Sequence, residues 1–354
     1  MAKDRYVAYV GTYTHGNSVG IHIFDIDSDT WTMKERKVIP INNPSDVLVS
    51  NNGKYLYAIA DLGVNAYRIL EDGDLEFINS RWTGGIRGCY LETDPQDRFL
   101  FECGYHDGRI SVMRLNEDGS VGEIADRVFH KGIGLSITDR RSMPHVTCVK
   151  LTPDFKGLFA VDSGLDQVKV YDIDYDTGEL RLNDIIRCDL DSGPRMVRID
   201  KQRKYIYVLG EINNRVCVYK AVPDNVKIGK DVFEPIQKVS TVNEGQNQQA
   251  AASGIEFSED GKHLFVTNAG INSVVVYEVD ESTGLLTRLC NIKCSGDYPK
   301  SIVPMPDNRH FVVLSHNTDE IFVYDMDYEK KCYLMSAKPI KIEQPNSIYI
   351  HKLK

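Results

Sequence analysis

The sequence predicts an all-β fold, a seven-bladed β-propeller of four-stranded antiparallel blades, on three observations. A polar turn between two alternating apolar runs recurs along the chain, the recurrence has the period of one blade, and long helical patterns are absent. The unit is plainest in Ser50-Asn51-Asn52-Gly53-Lys54-Tyr55-Leu56-Tyr57, Thr152-Pro153-Asp154-Phe155-Lys156-Gly157-Leu158-Phe159 and Ser258-Glu259-Asp260-Gly261-Lys262-His263-Leu264-Phe265. Shorter versions are Asp94-Pro95-Gln96-Asp97-Arg98-Phe99, Lys204-Tyr205-Ile206-Tyr207 and Pro306-Asp307-Asn308-Arg309-His310-Phe311. Asp, Asn and Gly suit hairpin turns that need positive φ.

Equivalent positions are Tyr9, Tyr57, Phe101, Phe159, Tyr207, Phe265 and Val312, at intervals of 44 to 58 residues. A third run closes each unit, as in Val168-Lys169-Val170-Tyr171 and Val274-Val275-Val276-Tyr277, and a more variable fourth strand follows. The first unit starts directly at its second strand, Tyr6–Thr12, while Pro345-Asn346-Ser347-Ile348-Tyr349-Ile350-His351 reads as an innermost strand. The C-terminal strand is therefore expected to complete the first blade and remove the open edge. The chain, residues 1–354, reads as a single propeller domain.

Composition narrows the function. A net charge of −9 disfavours a basic surface for nucleic acid or anionic lipid. No apolar run reaches membrane-spanning length, and Met1–Arg5 leads straight into a strand without an export signal, so a cytoplasmic protein is expected. The eight cysteines read as reduced structural thiols; only Cys290 and Cys294 are close, with no second pair to complete a metal site. Neither metal nor cofactor is expected, and nothing in the sequence sets an oligomeric state.

A propeller's inner strands surround a channel, and ligand sites form at one end. The start of a blade's first strand lies beside the end of its second. That rule sets Arg195 beside Glu211, Arg87 beside Tyr105 and His106, His145 beside Asp162, and Lys300 beside His316 and Asn317. Asp61, Tyr13 and Asn346 complete the rim. Such a rim suits a small anionic, oxygen-rich ligand, although it would equally solvate an empty channel mouth. Two polar insertions, 130–143 with Arg140 and Arg141, and 241–252, are either functional loops or solvated excursions.

Together, Tyr9-Val10-Gly11-Thr12-Tyr13-Thr14, Pro144-His145, Asp162-Ser163-Gly164-Leu165-Asp166, Gly193-Pro194-Arg195 and Gly210-Glu211-Ile212-Asn213-Asn214 make the chain resemble the seven-bladed propeller lactonases. These include cycloisomerase-type 6-phosphogluconolactonases and 3-carboxy-cis,cis-muconate lactonizing enzymes. The resemblance implies a catalytic set of His, Arg and Glu from blades four and five plus an Arg from blade six. Arg195 and Glu211 match it. Thr147 stands where the family's histidine usually falls, with His145 two residues earlier; Ala269 stands at the blade-six arginine, and Lys300 at a common blade-seven arginine.

The implied chemistry is lactone hydrolysis: Glu211 as general base on water, Arg195 on the oxyanion, His145 as proton donor. Lys300, Arg87 or Arg140 would hold the substrate's phosphate or carboxylate, with Tyr13, Tyr105, His106, Asp162 and His316 around it. Because positions two apart on a strand share a face, His145 is expected to look into the channel as the family histidine does. A cycloisomerase or hydrolase of another carboxy-lactone, and a non-catalytic propeller binding a metabolite or protein partner, are the alternatives.

Overall fold

A computed structural model describes residues 4–134, 143–223 and 231–353. Seven four-stranded antiparallel sheets follow one another around a ring. The strands alternate apolar side chains into both faces because each sheet is covered by a neighbour on either side. One cluster of buried apolar residues fills each interface between successive blades, including the seam between the last and the first. At roughly 1.5–3 kcal/mol for each fully buried large side chain, these interfaces dominate the fold's stability.

The recurring tyrosine does more than fill space. Tyr9, Tyr57 and Tyr207 are buried on second strands, and their hydroxyls donate to Gly73, Gly119 and Gly284 O, in the outer hairpin of the next blade. Those glycines have φ of +83°, +83° and +72°. A Cβ at Gly119 would stand 2.2 Å from the Tyr55 ring, so the turn requires glycine.

The polar turns have the expected geometry. Gly53, Asp97, Phe155, Arg203, Gly261 and Asn308 all carry positive φ. The ring closes as expected too: the last strand, Pro345–Leu353, pairs antiparallel with Arg5–Thr12, setting Tyr349 opposite Tyr9 and Ile348 opposite Val10. Blade seven carries an additional two-residue strand, Ile340–Lys341.

One irregularity repeats. The inner strands Val146–Leu151, Pro194–Ile199, Ala251–Phe257 and Pro299–Pro304 each slip register against their partners, leaving one extra residue: Thr147, Arg195, Ser253 and Lys300. The closing strand slips likewise at Asn346. A bulge breaks the two-residue alternation and re-aims a side chain. Five blades thus present one re-aimed residue each, all at the same end of the ring.

The 241–252 insertion is an exposed excursion tied down by hydrogen bonds, and contains a short 3-10 turn, Asn247–Gln249. Asn214 Nδ2 donates to Asn247 and Ala250 O, and Asn268 Nδ2 donates to Thr241 O. Of the other insertion, 135–142 lies outside the described residues, and Arg140 and Arg141 with it.

Candidate active site

The inner strands enclose a channel of about 840 Å³. Near its mouth, Arg195 Nη1 donates to Glu211 Oε2 at 2.7 Å, and Arg195 Nε donates to Ser253 O at 2.9 Å. Burial opposes the guanidinium's charge, but Glu211 overrides it and holds the group firmly protonated. Among the described residues, Arg195 Nη2 and Glu211 Oε1 make no hydrogen bond, so both side chains keep hydrogen-bonding capacity for a ligand.

Tyr13 sits between two more cations. Arg87 Cζ lies 5.1 Å and Lys300 Nζ 4.7 Å from its ring centroid, each within cation–π range. Arg87 Nη1 also reaches Asp61 at 3.2 Å. Lys300 has no ion-pair or hydrogen-bond partner among the described residues. Burial, with Arg195 adding its repulsion, pushes the Lys300 amine down to about 7. His316 meets Tyr13 edge-on at 5.7 Å, donates from Nδ1 to Pro345 O, and is lowered by burial and then by Lys300.

A second charged layer lies three residues further along the inner strands. Arg198 Nε pairs with Glu256 Oε2 at 2.9 Å, and Lys150 Nζ with Glu92 Oε2 at 2.7 Å. Asp46 joins this layer, its carboxyl pushed by burial up to about 7 against hydrogen bonds from Leu91 and Val47 N–H. Both deep cations are neutralised in place, whereas the mouth keeps Lys300 uncompensated.

Tyr13, Arg87, Tyr105, His106, Arg195, Glu211 and Lys300 therefore line one cavity. Three other candidate residues do not. His145 is 5% exposed and stacks behind Tyr105, ring centroids 4.2 Å apart, with its Nδ1 donating to Tyr105 O at 2.8 Å. The expectation that it faces the channel fails because the bulge between Val146 and Cys148 interrupts the alternation; Thr147 is the residue turned inward. Asp162 is fully buried, accepting from His130 Nδ1 at 2.6 Å and from the backbone N–H groups of His145, Gly164 and Leu165. It braces the start of blade four. His316 supports Tyr13 from behind, and Arg140 lies outside the described residues.

Sequence reasoning missed Cys89, Thr147, Tyr298 and the deep layer, all of which line the cavity. The available signal was a charged residue interrupting an apolar inner strand at a fixed offset: Lys150, Arg198 and Glu256 each follow a bulge residue by three.

Fold and site define a seven-bladed propeller whose central channel carries an Arg–carboxylate pair beside further charged side chains. The chain belongs to the family described as Lactonase, 7-bladed beta-propeller, matched over residues 7–350. It is 29% identical to a 6-phosphogluconolactonase of Bacillus subtilis, covering 99% of both chains. It is 26% identical to a 6-phosphogluconolactonase of Formosa agariphila, covering 91% of this chain and 92% of that one. The periplasmic gluconolactonase of Pseudomonas aeruginosa, 23% identical, has the same fold, with a TM-score of 0.90 over 99% of this chain and 100% of its own. Among the described residues no helix is long and apolar enough to cross a membrane.

Proposed function

We propose that the protein is a metal-independent lactone hydrolase acting on a small anionic sugar lactone of the 6-phosphogluconolactone type. The observation that carries this reading is the Arg195–Glu211 pair at 2.7 Å inside a cavity that also holds Arg87 and Lys300. The activity for which the Bacillus subtilis and Formosa agariphila relatives are named supports the substrate class.

Hydrolysis needs an activated water, a stabilised oxyanion and a proton for the leaving alkoxide. Glu211 Oε1 takes a proton from water, and the hydroxide adds to the lactone carbonyl. Arg195, clamped by Ser253 O and Glu211, directs its remaining N–H groups at the oxyanion. A guanidinium fixed before the reaction pays no reorganisation cost as charge develops. Arg87, braced by Asp61 over Tyr13, anchors the substrate's phosphate or carboxylate with its planar donor fork. The blade-six arginine has no counterpart here: Ala269 is buried, and Asn268 before it is committed to Thr241 and Ser273.

The test is hydrolysis of 6-phosphogluconolactone, gluconolactone and a carboxy-muconolactone, with spontaneous opening subtracted, for wild type, Glu211→Gln and Arg195→Ala. Wild-type turnover of the phosphorylated lactone that both substitutions abolish supports the reading. Wild-type inactivity on all three lactones overturns it.

A further inference from the structure

We propose that Lys300 is the proton donor to the leaving ring oxygen, the role that His145, stacked behind Tyr105 and outside the cavity lining, does not fill. The inference rests on the lactonase reading above and names a further catalytic residue for it. Lys300 is the extra residue of blade seven's bulge, re-aimed like Arg195 in blade five. The two are joined through one residue: Ser253 accepts from Arg195 Nε on its carbonyl, and its hydroxyl donates to Pro299 O, immediately before Lys300. An oxyanion held by Arg195 is thereby held beside the strand that carries the lysine.

The ammonium is free to donate. Among the described residues no carboxylate, carbonyl or hydroxyl accepts from Nζ, which rests 4.7 Å from the Tyr13 ring centroid. The charged and titratable groups around it come from every neighbouring element. They are Arg195 and Glu211 of blade five, Arg87 and Cys89 of blade three, Tyr13 of blade one and His316 of its own blade. Burial and the two arginines outweigh Glu211 and bring the amine to about 7, where a general acid is most effective. An anionic substrate raises it again and keeps the proton in place until the ring opens.

The step balances. Glu211 receives a proton from water as hydroxide adds to the carbonyl carbon. When the tetrahedral intermediate collapses, the acyl carbon–ring oxygen bond breaks, and the oxygen takes a proton from Lys300 to become an alcohol. The new carboxylic acid ionises and returns a proton to the amine, and Glu211 releases its own to solvent.

The experiment compares wild type, Lys300→Met and Lys300→Arg on 6-phosphogluconolactone, which leaves as an alkoxide, and on dihydrocoumarin, which leaves as a phenoxide and needs no proton. Circular dichroism melts confirm folding. On the sugar lactone both substitutions are expected to lower kcat by about 10²–10⁴-fold, arginine included, because it keeps the charge but not a transferable proton. On the aryl lactone the loss is expected to stay below roughly tenfold. The wild-type kcat/KM profile on the sugar lactone, which reports the free enzyme, falls as pH rises above neutrality; in both variants that limb is gone. Recovery of kcat by Lys300→Arg, equal losses on the two lactones, or a wild-type profile without the alkaline limb would each overturn the assignment and leave Lys300 an anion anchor. Wild-type inactivity on the sugar lactone refutes the lactonase reading itself, a result separable from all of these.

Discussion

Thr147 and Arg195 hold the same place in neighbouring blades: each is the extra residue of a bulge at the start of an inner strand, and each lines the cavity. Lys300 and Asn346 repeat the arrangement. The channel mouth is thus a ring of interchangeable positions on a fixed scaffold. Chemistry there depends on which side chain each bulge carries, so a histidine missing from one blade and a lysine present in another belong to one design problem.

That equivalence separates two residues that look alike in sequence. Arg195→Ala removes a donor aimed at the oxyanion and is expected to cost about 10²–10³-fold in kcat. His145→Gln alters a side chain stacked behind Tyr105 and is expected to cost less than roughly tenfold, since it performs no proton transfer. Steady-state kinetics on 6-phosphogluconolactone check both. A larger loss from His145→Gln than from Arg195→Ala would reverse the two roles.

The Arg195–Glu211 pair was legible because antiparallel pairing follows directly from strand order, and the repeat makes strand order visible. His145 was misjudged for the opposite reason. A bulge is one extra residue with no compositional mark, and Pro-His-Val-Thr reads as plain alternation until the register against Val161 and Asp162 is known. The deep ion pairs were hidden because each joins two blades: Arg198 and Glu256, like Glu92 and Lys150, are 58 residues apart and meet only once the ring has closed.

If the bulge sets the role, a histidine placed at Thr147 should supply a proton donor to the cavity. In the Lys300→Met background, Thr147→His is expected to raise kcat on the sugar lactone by about tenfold or more below pH 7, where the imidazole is protonated. Its activity should fall as pH rises through the imidazole's pKa. A double variant no better than Lys300→Met would show that this position cannot deliver a proton to the ring oxygen.

Stability of the mouth depends on a network that never touches substrate. Arg109 is fully buried, donating to both carboxylate oxygens of Glu102 at 2.8 and 2.9 Å, to Asp107 Oδ2, to Ser111 Oγ, and to Thr83 Oγ1 and Ile86 O of the loop bearing Arg87. Gly85 and Gly88 let that loop lie against it; a Cβ there would stand 1.8 Å from Arg109 Nη1 and 2.0 Å from Glu102 Oε1. Arg109→Met strands a buried carboxylate and is expected to cost about 3–5 kcal/mol in urea unfolding. The double variant Glu102→Leu/Arg109→Met should recover part of that loss. If the single and double variants are equally unstable, Glu102 is not the source of the cost, and Asp107, the other carboxylate paired with Arg109, carries it.

Lys300 makes a prediction that needs no substrate. Its amine titrates near 7 in the folded protein and near the usual lysine value of 10.5 when unfolded, with burial the leading cause. Between those values the unfolded chain binds the additional proton, so this residue makes stability rise with pH from about 7 towards 10 and contributes no further change below 7. Lys300→Met removes that dependence. It is expected to be more stable than wild type at pH 6, with the advantage shrinking steadily as the pH approaches 10. Urea midpoints of the two proteins across that range measure it directly. Parallel curves would mean that Lys300 keeps its ordinary affinity for a proton, and a group that holds its proton so firmly at neutral pH would serve the leaving alkoxide poorly.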